Sequence, residues 1–278
     1  MSTQNVIVVT GGTRGIGKGL ARSLLERGQH VAITGRDAAT AAKVAGELQP
    51  SATGNARAIG IGCDIAKLDE VRACWGQVQR EFGRIDIWVN NAGISHHRQR
   101  GGEMRAEDIR AVEETNLLGM MLATQVAMRG MESQPNGGTI YNMEGFGSSG
   151  MKTPGMSLYG ASKFALTYFN KALLAETRGS RVRICYLSPG IVITDLLKRD
   201  MGGTKTPADW ERTKRVYNIL ADRVETVTPW LADGILRNDK TGARVAWLTG
   251  AKAGKRFFMS LFRKRQILTD SDFAPDSL

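Results

Sequence analysis

Residues 6–17 read Val-Ile-Val-Val-Thr-Gly-Gly-Thr-Arg-Gly-Ile-Gly, and this stretch decides the fold. Four consecutive apolar residues are typical of a strand buried on both faces of a parallel sheet. The glycines that follow allow a tight turn and a close approach of backbone amides to a phosphate group. Apolar residues at helical spacing from Ile16 onward predict a helix whose N-terminus favours negative charge. Strand, glycine-rich turn and helix in this order predict a dinucleotide-binding unit.

The same alternation continues along the chain. Because parallel neighbouring strands need crossover helices, it predicts an α/β protein with a single doubly wound parallel-sheet domain of the Rossmann type. We expect this domain to cover residues 1–250, with a substrate loop at 190–225 and a basic aromatic tail at 251–278. Further strands are predicted at 31–33, 58–63, 85–90, 139–143 and 182–188, and helices at 16–28, 38–48, 68–82, through Asn116 as one long helix, and at 159–178.

Composition excludes several classes of protein. The chain has 278 residues, and its three cysteines form neither a disulfide framework nor a CxxC zinc motif, so we expect a reducing, cytoplasmic location. No apolar run reaches the length of a membrane span, and the polar start lacks the features of a targeting peptide, so we expect a complete or already trimmed chain. His96 and His97 are predicted to lie in a solvated or substrate-lid loop, and no metal site is expected.

Positive charge is concentrated late in the sequence. The net charge is +11, and residues 196–266 hold 16 Lys or Arg against 7 Asp or Glu. Residues 252–265 interleave these basic residues with Phe, Leu and Met, a pattern that suits peripheral contact with an anionic membrane. A tail at a subunit interface or beside a cofactor is the alternative. Nucleic acid is not expected as a partner, because no RNA- or DNA-binding pattern accompanies the charge.

The end of the second predicted strand indicates which dinucleotide is bound. A site for NADH usually has a carboxylate there for the ribose 2′-hydroxyl, whereas this chain has Thr34, Gly35 and Arg36. The guanidinium of Arg36 suits a 2′-phosphate, and Arg14 in the glycine-rich turn can reach the same group, so we expect NADPH rather than NADH. The alternative is that Arg36 is solvated and the next residue, Asp37, takes the ribose.

A second motif places an acid and a cation on one helix face. Tyr159 and Lys163 are four residues apart at the start of a predicted helix. An ammonium group there can lower the phenol pKa from its ordinary value of about 10. Downstream of a cofactor-binding turn, Tyr159 is therefore a candidate proton donor beside a source of hydride.

Together these motifs resemble the short-chain dehydrogenases/reductases over nearly the whole chain. The resemblance implies that Tyr159 is the general acid, that Lys163 binds the nicotinamide ribose and tunes Tyr159, and that Asn116 supports a proton-relay water. For Asn116 the alternative is a helix-kink residue without a catalytic part. Besides the turn residues and Arg36, the resemblance implies further cofactor-binding residues. The full set is Gly11, Thr13, Arg14, Gly15, Ile16, Gly17, Arg36, Asp64 and Ile65 near the adenine, Asn91, Ala92, Gly93, Tyr159, Lys163, and Pro189, Gly190, Val192 and Thr194 on the nicotinamide side.

One residue of that family pattern is missing. The usual catalytic serine position falls on Gly145 or Phe146, neither of which has a hydroxyl group. Ser148 or Ser149 could replace it, Tyr159 could act with backbone donors, or Glu144 could have a new role. A relative that binds the cofactor without catalysis is a further alternative.

The departure itself resembles the chlorophyll(ide) b reductase branch of the family. The similar blocks are 136–148, 153–154, 159–163, 187–197, 218–220, 225–227 and 246–249. The resemblance implies NADPH-dependent reduction of a tetrapyrrole, from the 7-formyl group of chlorophyll(ide) b to a 7-hydroxymethyl group, as a step of chlorophyll catabolism. It also implies a homodimer or homotetramer. The alternatives are a reductase of another bulky apolar carbonyl compound, 3-oxoacyl or steroid-like, and a noncatalytic NADPH-binding membrane or partner module. Apolar residues for the mouth of such a site are Leu196, Leu197, Met201, Trp210 and Tyr217.

Overall fold

The strands of the computed structural model, which describes residues 4–201 and 207–268, form one large parallel sheet and a small second sheet. Their bounds are β1 (Val6–Val9), β2 (His30–Gly35), β3 (Ala58–Gly62), β4 (Ile87–Asn90), β5 (Gly138–Met143), β6 (Val182–Ser188), β7 (Val192–Ile193), β8 (Asp222–Arg223) and β9 (Arg244–Ala246). The large sheet has the order β3-β2-β1-β4-β5-β6-β9, and β7 pairs with β8. The predicted doubly wound architecture is confirmed. The strand order reverses beside β1, where ligands bind in such sheets.

Helices cover both faces of the sheet. They are α1 (Gly15–Leu25), α2 (Ala38–Leu48), α3 (Leu68–Phe82), α4 (Ala106–Val112), α5 (Met120–Glu132), α6 (Ser157–Glu176), α7 (Asp195–Met201), α8 (Pro207–Leu220), α9 (Val224–Arg237) and α10 (Gly250–Met259). The predictions for α2 and α3 are confirmed at both ends. Successive residues of β1 feed opposite layers, because Val6 and Val8 pack towards α3 and α5 while Ile7 and Val9 pack towards α1 and α9.

The chain is helical without a break from Ala106 to Glu132, as the prediction of one long helix through Asn116 expects, but this helix is not regular throughout. A π-helical segment, Glu113–Gly119, separates α4 from α5. In this wider turn, the side chain of Asn116 hydrogen-bonds to the backbone N–H and C=O of Ile94. It also brings Gly119 against Ile65, where an added Cβ would lie 2.7 Å from Ile65 Cγ1.

The strand predicted at 85–90 begins two residues late. The backbone N–H and C=O of Ile85 bond to the side chain of Gln134 instead of to a neighbouring strand. Ladder pairing of β4 with β1 therefore starts at Ile87.

The C-terminal helix α10 begins at Gly250, so the predicted boundary between residues 250 and 251 falls in its first turn. The proposed division into a domain and a tail stays a prediction. Residues 202–206 of the predicted substrate loop and 269–278 of the predicted tail lie outside the described residues, as do the side chains of Met201 and Trp210. Among the helices described, none is both long and apolar enough to cross a membrane.

Candidate active site

The glycine-rich turn connects β1 to α1 and is braced by the end of β4. Gly11 has φ +62, a conformation that favours glycine, and an added Cβ there would lie 2.8 Å from Ala92 Cα. Asn91 Nδ2 donates to the carbonyl oxygens of Thr10 and Gly11 at 2.9 and 3.1 Å. At Gly17, an added Cβ would lie 2.3 Å from Gly11 O. The turn and the helix therefore approach each other closely, with the side-chain amide of Asn91 bonded to the turn beside them.

The N-terminus of α1 is suited to an anion. Arg14 is the N-cap residue and its side chain makes no capping hydrogen bond, and the first turn contains no acidic residue. The N–H groups of that turn therefore remain available to a phosphate. An added Cβ at Gly15 would lie 3.4 Å from Thr194 Cγ2, which places Thr194 over the turn.

The end of β2 favours the arginine interpretation over the aspartate one. Arg36 is exposed. Asp37 instead caps α2, because its carboxylate accepts hydrogen bonds from the hydroxyl and, at 2.7 Å, the N–H of Thr40, and these bonds lower the pKa of Asp37. Beside the glycine turn, the buried Thr34 Oγ1 has no hydrogen-bond partner within the described part of the chain, so a polar ligand group can satisfy it. These features fit a dinucleotide with a 2′-phosphate.

The predicted adenine side is formed after β3. Ile65 is buried against Gly119 of the π-helical segment. Asp64 is partly buried, and its Oδ1 accepts a hydrogen bond from the N–H of Ala66 at 3.1 Å. The backbone N–H of Asp64 donates to Glu70 at 2.8 Å. The loop is thus fixed by its own helix, with Asp64 at its surface.

Tyr159 and Lys163 lie together in a buried part of α6. The Lys163 Nζ lies 5.8 Å from the centre of the Tyr159 ring and donates to Met143 O at 3.3 Å. Burial lowers the pKa of Lys163 to about 8. An added Cβ at Gly93 would lie 3.8 Å from Lys163 Nζ and 3.3 Å from Asn116 Oδ1. Gly93, in the loop after β4, therefore lies close to both Lys163 and Asn116, two of the predicted catalytic residues.

Asn116 is buried, and both ends of its amide are engaged. Its Oδ1 accepts from Ile94 N at 2.8 Å, and its Nδ2 donates to Ile94 O at 2.9 Å and to Ser162 Oγ at 3.2 Å. Ser162 in turn donates to Tyr159 O. Asn116 therefore fixes the loop after β4 to the helix that contains Tyr159, and it lies in the π-helical segment.

Gly145, one of the two residues on which the usual serine position falls, lies directly against Tyr159. An added Cβ at Gly145 would lie 2.5 Å from Tyr159 Oη. Ser148 Oγ accepts from Gly145 N at 3.1 Å and lies 3.5 Å from Lys163 O, so this hydroxyl closes the turn after β5. Ser149 is exposed. Glu144 forms an ion pair with Arg244, and the phenol of Tyr159 fills the space beside Gly145.

The residues predicted for the nicotinamide side follow β6. Pro189 is buried, and Gly190 has φ +74 with its Cα close to Leu248, where an added Cβ would lie 2.5 Å from Leu248 Cβ. Val192 is also buried and belongs to the core layer beneath α1 and α9, so its predicted cofactor contact stays a prediction. Thr194 directly precedes α7, and its Oγ1 accepts a hydrogen bond from Leu197 N at 3.4 Å.

Sequence reasoning missed a chain of buried asparagines that positions α6. Asn90 Nδ2 donates to Asn142 Oδ1 at 2.7 Å, and Asn142 Nδ2 donates to Asn170 Oδ1 at 2.5 Å. Asn90 and Asn142 are register partners in β4 and β5, and Asn170 lies two turns after Lys163. Polar residues inside otherwise apolar strands were the available signal, because buried amides need partners.

The loop after β4 differs in part from the expectation of a solvated loop. His97 is exposed, but His96 is buried, and its Nδ1 lies 2.6 Å from His97 O. His96 Nε2 is buried without a partner in the part of the chain described here. Within residues 4–201 and 207–268, no three His, Cys, Asp or Glu side chains form a group that could hold a metal ion.

Comparison with known proteins gives a consistent family. The family model of the short chain dehydrogenases matches residues 5–203. The probable chlorophyll(ide) b reductase of Oryza sativa is 34% identical over 257 residues, 87% of this chain and 49% of that protein. The chlorophyll(ide) b reductase of Arabidopsis thaliana is 34% identical over 275 residues, 95% of this chain and 76% of that protein. The chain thus spans about half the length of the rice relative.

A solved structure shares the fold over most of both chains. The 3-ketoacyl-(acyl-carrier-protein) reductase of Brucella melitensis, complexed with NADH, has a TM-score of 0.75 and 26% identity. The match covers 89% of this chain and 98% of that one.

Proposed function

Because the chain belongs to the short-chain dehydrogenase family, we propose that it is an NADPH-dependent reductase of the 7-formyl group of chlorophyll(ide) b. The observation that carries this proposal is the burial of Tyr159 and Lys163 together, beside a glycine-rich turn suited to a dinucleotide. The similarity to two chlorophyll(ide) b reductases supports the choice of a tetrapyrrole substrate. The proposed substrates are both the free acid, chlorophyllide b, and its ester, chlorophyll b.

The proposed mechanism needs one proton from the protein. NADPH, when bound, supplies a hydride to the aldehyde carbon. Tyr159 Oη gives its proton to the aldehyde oxygen, so the product is the primary alcohol and no alkoxide accumulates in a dry site. Lys163 places a positive charge beside the phenol, and the hydrogen bonds of Asn116 keep the loop after β4 against α6. Catalysis of this kind depends mainly on positioning.

Backbone groups take the part of the missing serine in this proposal. Ser148 already closes the turn through Gly145 N, and Glu144 is paired with Arg244. The turn from Gly145 to Ser148 lies against Tyr159 and can present its peptide groups to the substrate oxygen. A larger residue in place of Gly145 would push the phenol away from that position.

A Gly145→Ala variant tests this arrangement. The added methyl group overlaps Tyr159 Oη, so we expect kcat to fall at least tenfold, with each tenfold loss equivalent to about 1.4 kcal/mol. The Kd for NADPH should stay within about twofold. Gly46→Ala on α2 is the matched control, since a Cβ there meets nothing within 4 Å. Full activity of Gly145→Ala would contradict the proposed contact between this glycine and the catalytic phenol.

The buried lysine predicts a pH dependence. Since burial lowers the pKa of Lys163 to about 8, its positive charge is present below that pH and lost above it. We expect kcat/KM for reduction to fall through about pH 8, as measured between pH 6 and 10, because this parameter reports groups of the free enzyme. Burial favours the neutral amine of Lys163 over the charged one. The free energy of unfolding should therefore rise as the pH increases above about 8 and Lys163 loses its proton.

Arginine at this position should remove the titration. Lys163→Arg keeps its charge over the whole range, so any residual activity should show no fall near pH 8. Lys171→Arg, on the exposed surface of the same helix, is the control and should reproduce the wild-type profile. A wild-type profile that stays level to pH 9.5 would remove Lys163 from the proposed role.

Assembly into a homodimer or homotetramer is part of the proposal. The π-helical segment and α6 expose Leu118, Phe164 and Tyr168, and these are the helices that hold Asn116 and Tyr159. Apolar side chains exposed on neighbouring helices fit a subunit interface. A cytoplasmic location also stays a prediction.

The deciding experiment follows the pigment directly. Chlorophyllide b and chlorophyll b are incubated anaerobically with the protein and either NADPH or NADH, and products are separated by chromatography. We expect the 7-hydroxymethyl product, formed preferentially with NADPH, and we expect Arg36→Ala to reduce that preference at least tenfold. Conversion of 3-oxoacyl or steroid ketones but not of pigment would instead favour the second candidate, which the likeness to a 3-ketoacyl reductase supports.

A further inference from the structure

The C-terminal arm, residues 250–268, is firmly attached to the body of the protein. Asp222 is only 3% exposed, and its carboxylate accepts hydrogen bonds from Arg256 at 2.7 and 3.1 Å, from Arg265 at 2.8 Å and from Trp247 at 2.7 Å. Asn218 Oδ1 accepts from the backbone N–H groups of residues 267 and 268. The arm is therefore held in its middle and at its C-terminal end.

This fixed arm nevertheless presents a group of apolar side chains to solvent. Leu261 and Phe262 are 77% and 74% exposed, Phe258 is 62% exposed, and Phe257 and Met259 are exposed as well. The rings of Phe258 and Phe262 contact each other with their centres 5.3 Å apart, so they form one cluster. Apolar clusters held outward by a rigid attachment mark an interaction surface.

The charges around the cluster have a single sign. Lys255, Arg263 and Lys264 are exposed next to it, and no acidic residue occurs anywhere from Gly250 to Leu268. Arg256 and Arg265 form ion pairs with Asp222, and Lys252 lies over the Trp247 ring. These three basic residues are therefore engaged within the protein and do not contribute to the exposed surface that could contact lipid. A second copy of the chain would bring the same positive charges face to face, whereas an anionic bilayer offers complementary headgroups and an apolar interior.

We propose that the C-terminal arm binds the surface of an anionic lipid bilayer, with its aromatic cluster in the interface and Lys255, Arg263 and Lys264 at the headgroups. This geometry is that of a peripheral interfacial segment. The arm also contacts α8 of the predicted substrate loop, since Arg265 Nη1 donates to Ile219 O at 2.6 Å. Asp222 is in register with Val192 of β7, so the lipid surface and the proposed nicotinamide side belong to one connected part of the fold.

Vesicle sedimentation of the full chain tests the proposal. The probes are vesicles of phosphatidylcholine alone and vesicles with about one third phosphatidylglycerol, at low and high salt. We expect binding to the anionic vesicles that weakens with salt, about a hundredfold weaker binding of the Lys255→Gln, Arg263→Gln, Lys264→Gln variant, and at least tenfold weaker binding of the Phe258→Ser, Phe262→Ser variant.

Controls separate the arm from general charge and from assembly. A variant with Arg22, Lys43 and Arg178 changed to Gln loses the same net charge elsewhere on the exposed surface and should bind nearly as the wild type does. Met151→Ser removes another exposed apolar side chain and should also bind normally. Light scattering of each variant reports its oligomeric mass.

Three outcomes overturn the proposal. The wild type could stay in the supernatant with anionic vesicles, or the arm variants could bind as well as the wild type. The Phe258→Ser, Phe262→Ser variant could also lose oligomeric mass while the wild type does not bind vesicles. In that case the arm is a subunit interface. None of these results bears on pigment reduction, because that assay uses dissolved substrate.

Discussion

Replacing Tyr159 with phenylalanine is expected to lower kcat for carbonyl reduction about a thousandfold, within the range that general acids contribute. The phenol ring remains as a phenyl ring, so packing beside Lys163 and Gly145 is kept and only the proton donor is lost. The measurement is single-turnover oxidation of bound NADPH in the presence of chlorophyllide b. The Kd for NADPH, from fluorescence titration, should change by less than about threefold.

Tyr168→Phe provides the matched control for that experiment. Tyr168 lies on the same helix, α6, but its side chain is 77% exposed and faces away from the buried locus. We expect wild-type turnover from this variant. If Tyr159→Phe kept more than a third of the wild-type kcat, the proton would have to come from another group, and the mechanism proposed above would fail. A protein that binds cofactor without catalysis would show no turnover in either form.

Replacing Asp222 with asparagine is expected to reduce the free energy of unfolding by about 2–3 kcal/mol. Removing one partner of a buried ion pair costs about 3–5 kcal/mol. We expect a smaller loss because the side chains of Arg256 and Arg265 are 15% and 31% exposed, so water can reach them. Urea denaturation measures the loss, and chymotrypsin should cut after Phe257 or Phe258 faster once the C-terminal arm loosens.

The pH dependence of that loss gives an independent check. Burial alone would raise the pKa of Asp222, but hydrogen bonds from Arg256 and Trp247 and the charge of Arg256 outweigh it, so the pKa is lowered. The carboxylate therefore contributes its stability above the unfolded value of about 4 and loses it as the pH falls. The difference between wild type and variant should shrink below about pH 4.

Asp233→Asn is the control for the stability experiment. Asp233 is paired with Arg27 at the protein surface, where ion pairs contribute about 0–1 kcal/mol. We expect a small change in the urea midpoint and no change in proteolysis of the arm. Equal losses from the two variants would show that Asp222 has no special part in holding the arm.

Patterns that depend on neighbouring residues were readable from the sequence. The bounds of α2 and α3 follow from local apolar spacing, and the turn after β1 follows from its glycines. Tyr159 and Lys163 could be paired because four residues on a helix always share a face. The π-helical segment around Asn116 could not be predicted, because apolar spacing carries no signal for one widened turn.

The sequence by itself therefore determined the doubly wound sheet, because strands and helices alternate along it. It also determined the glycine-rich turn and the Tyr159–Lys163 pair, because these rest on residues within one strand–turn–helix unit or one helix. Only the tertiary structure decided how distant residues meet. Glu144 and Arg244 are 100 residues apart, and Arg265 reaches Asp222 across 43 residues. Gly145 is set against the Tyr159 hydroxyl by the packing of β5 against α6. Such pairings depend on how layers of the sheet and helices pack, and no local spacing encodes that packing.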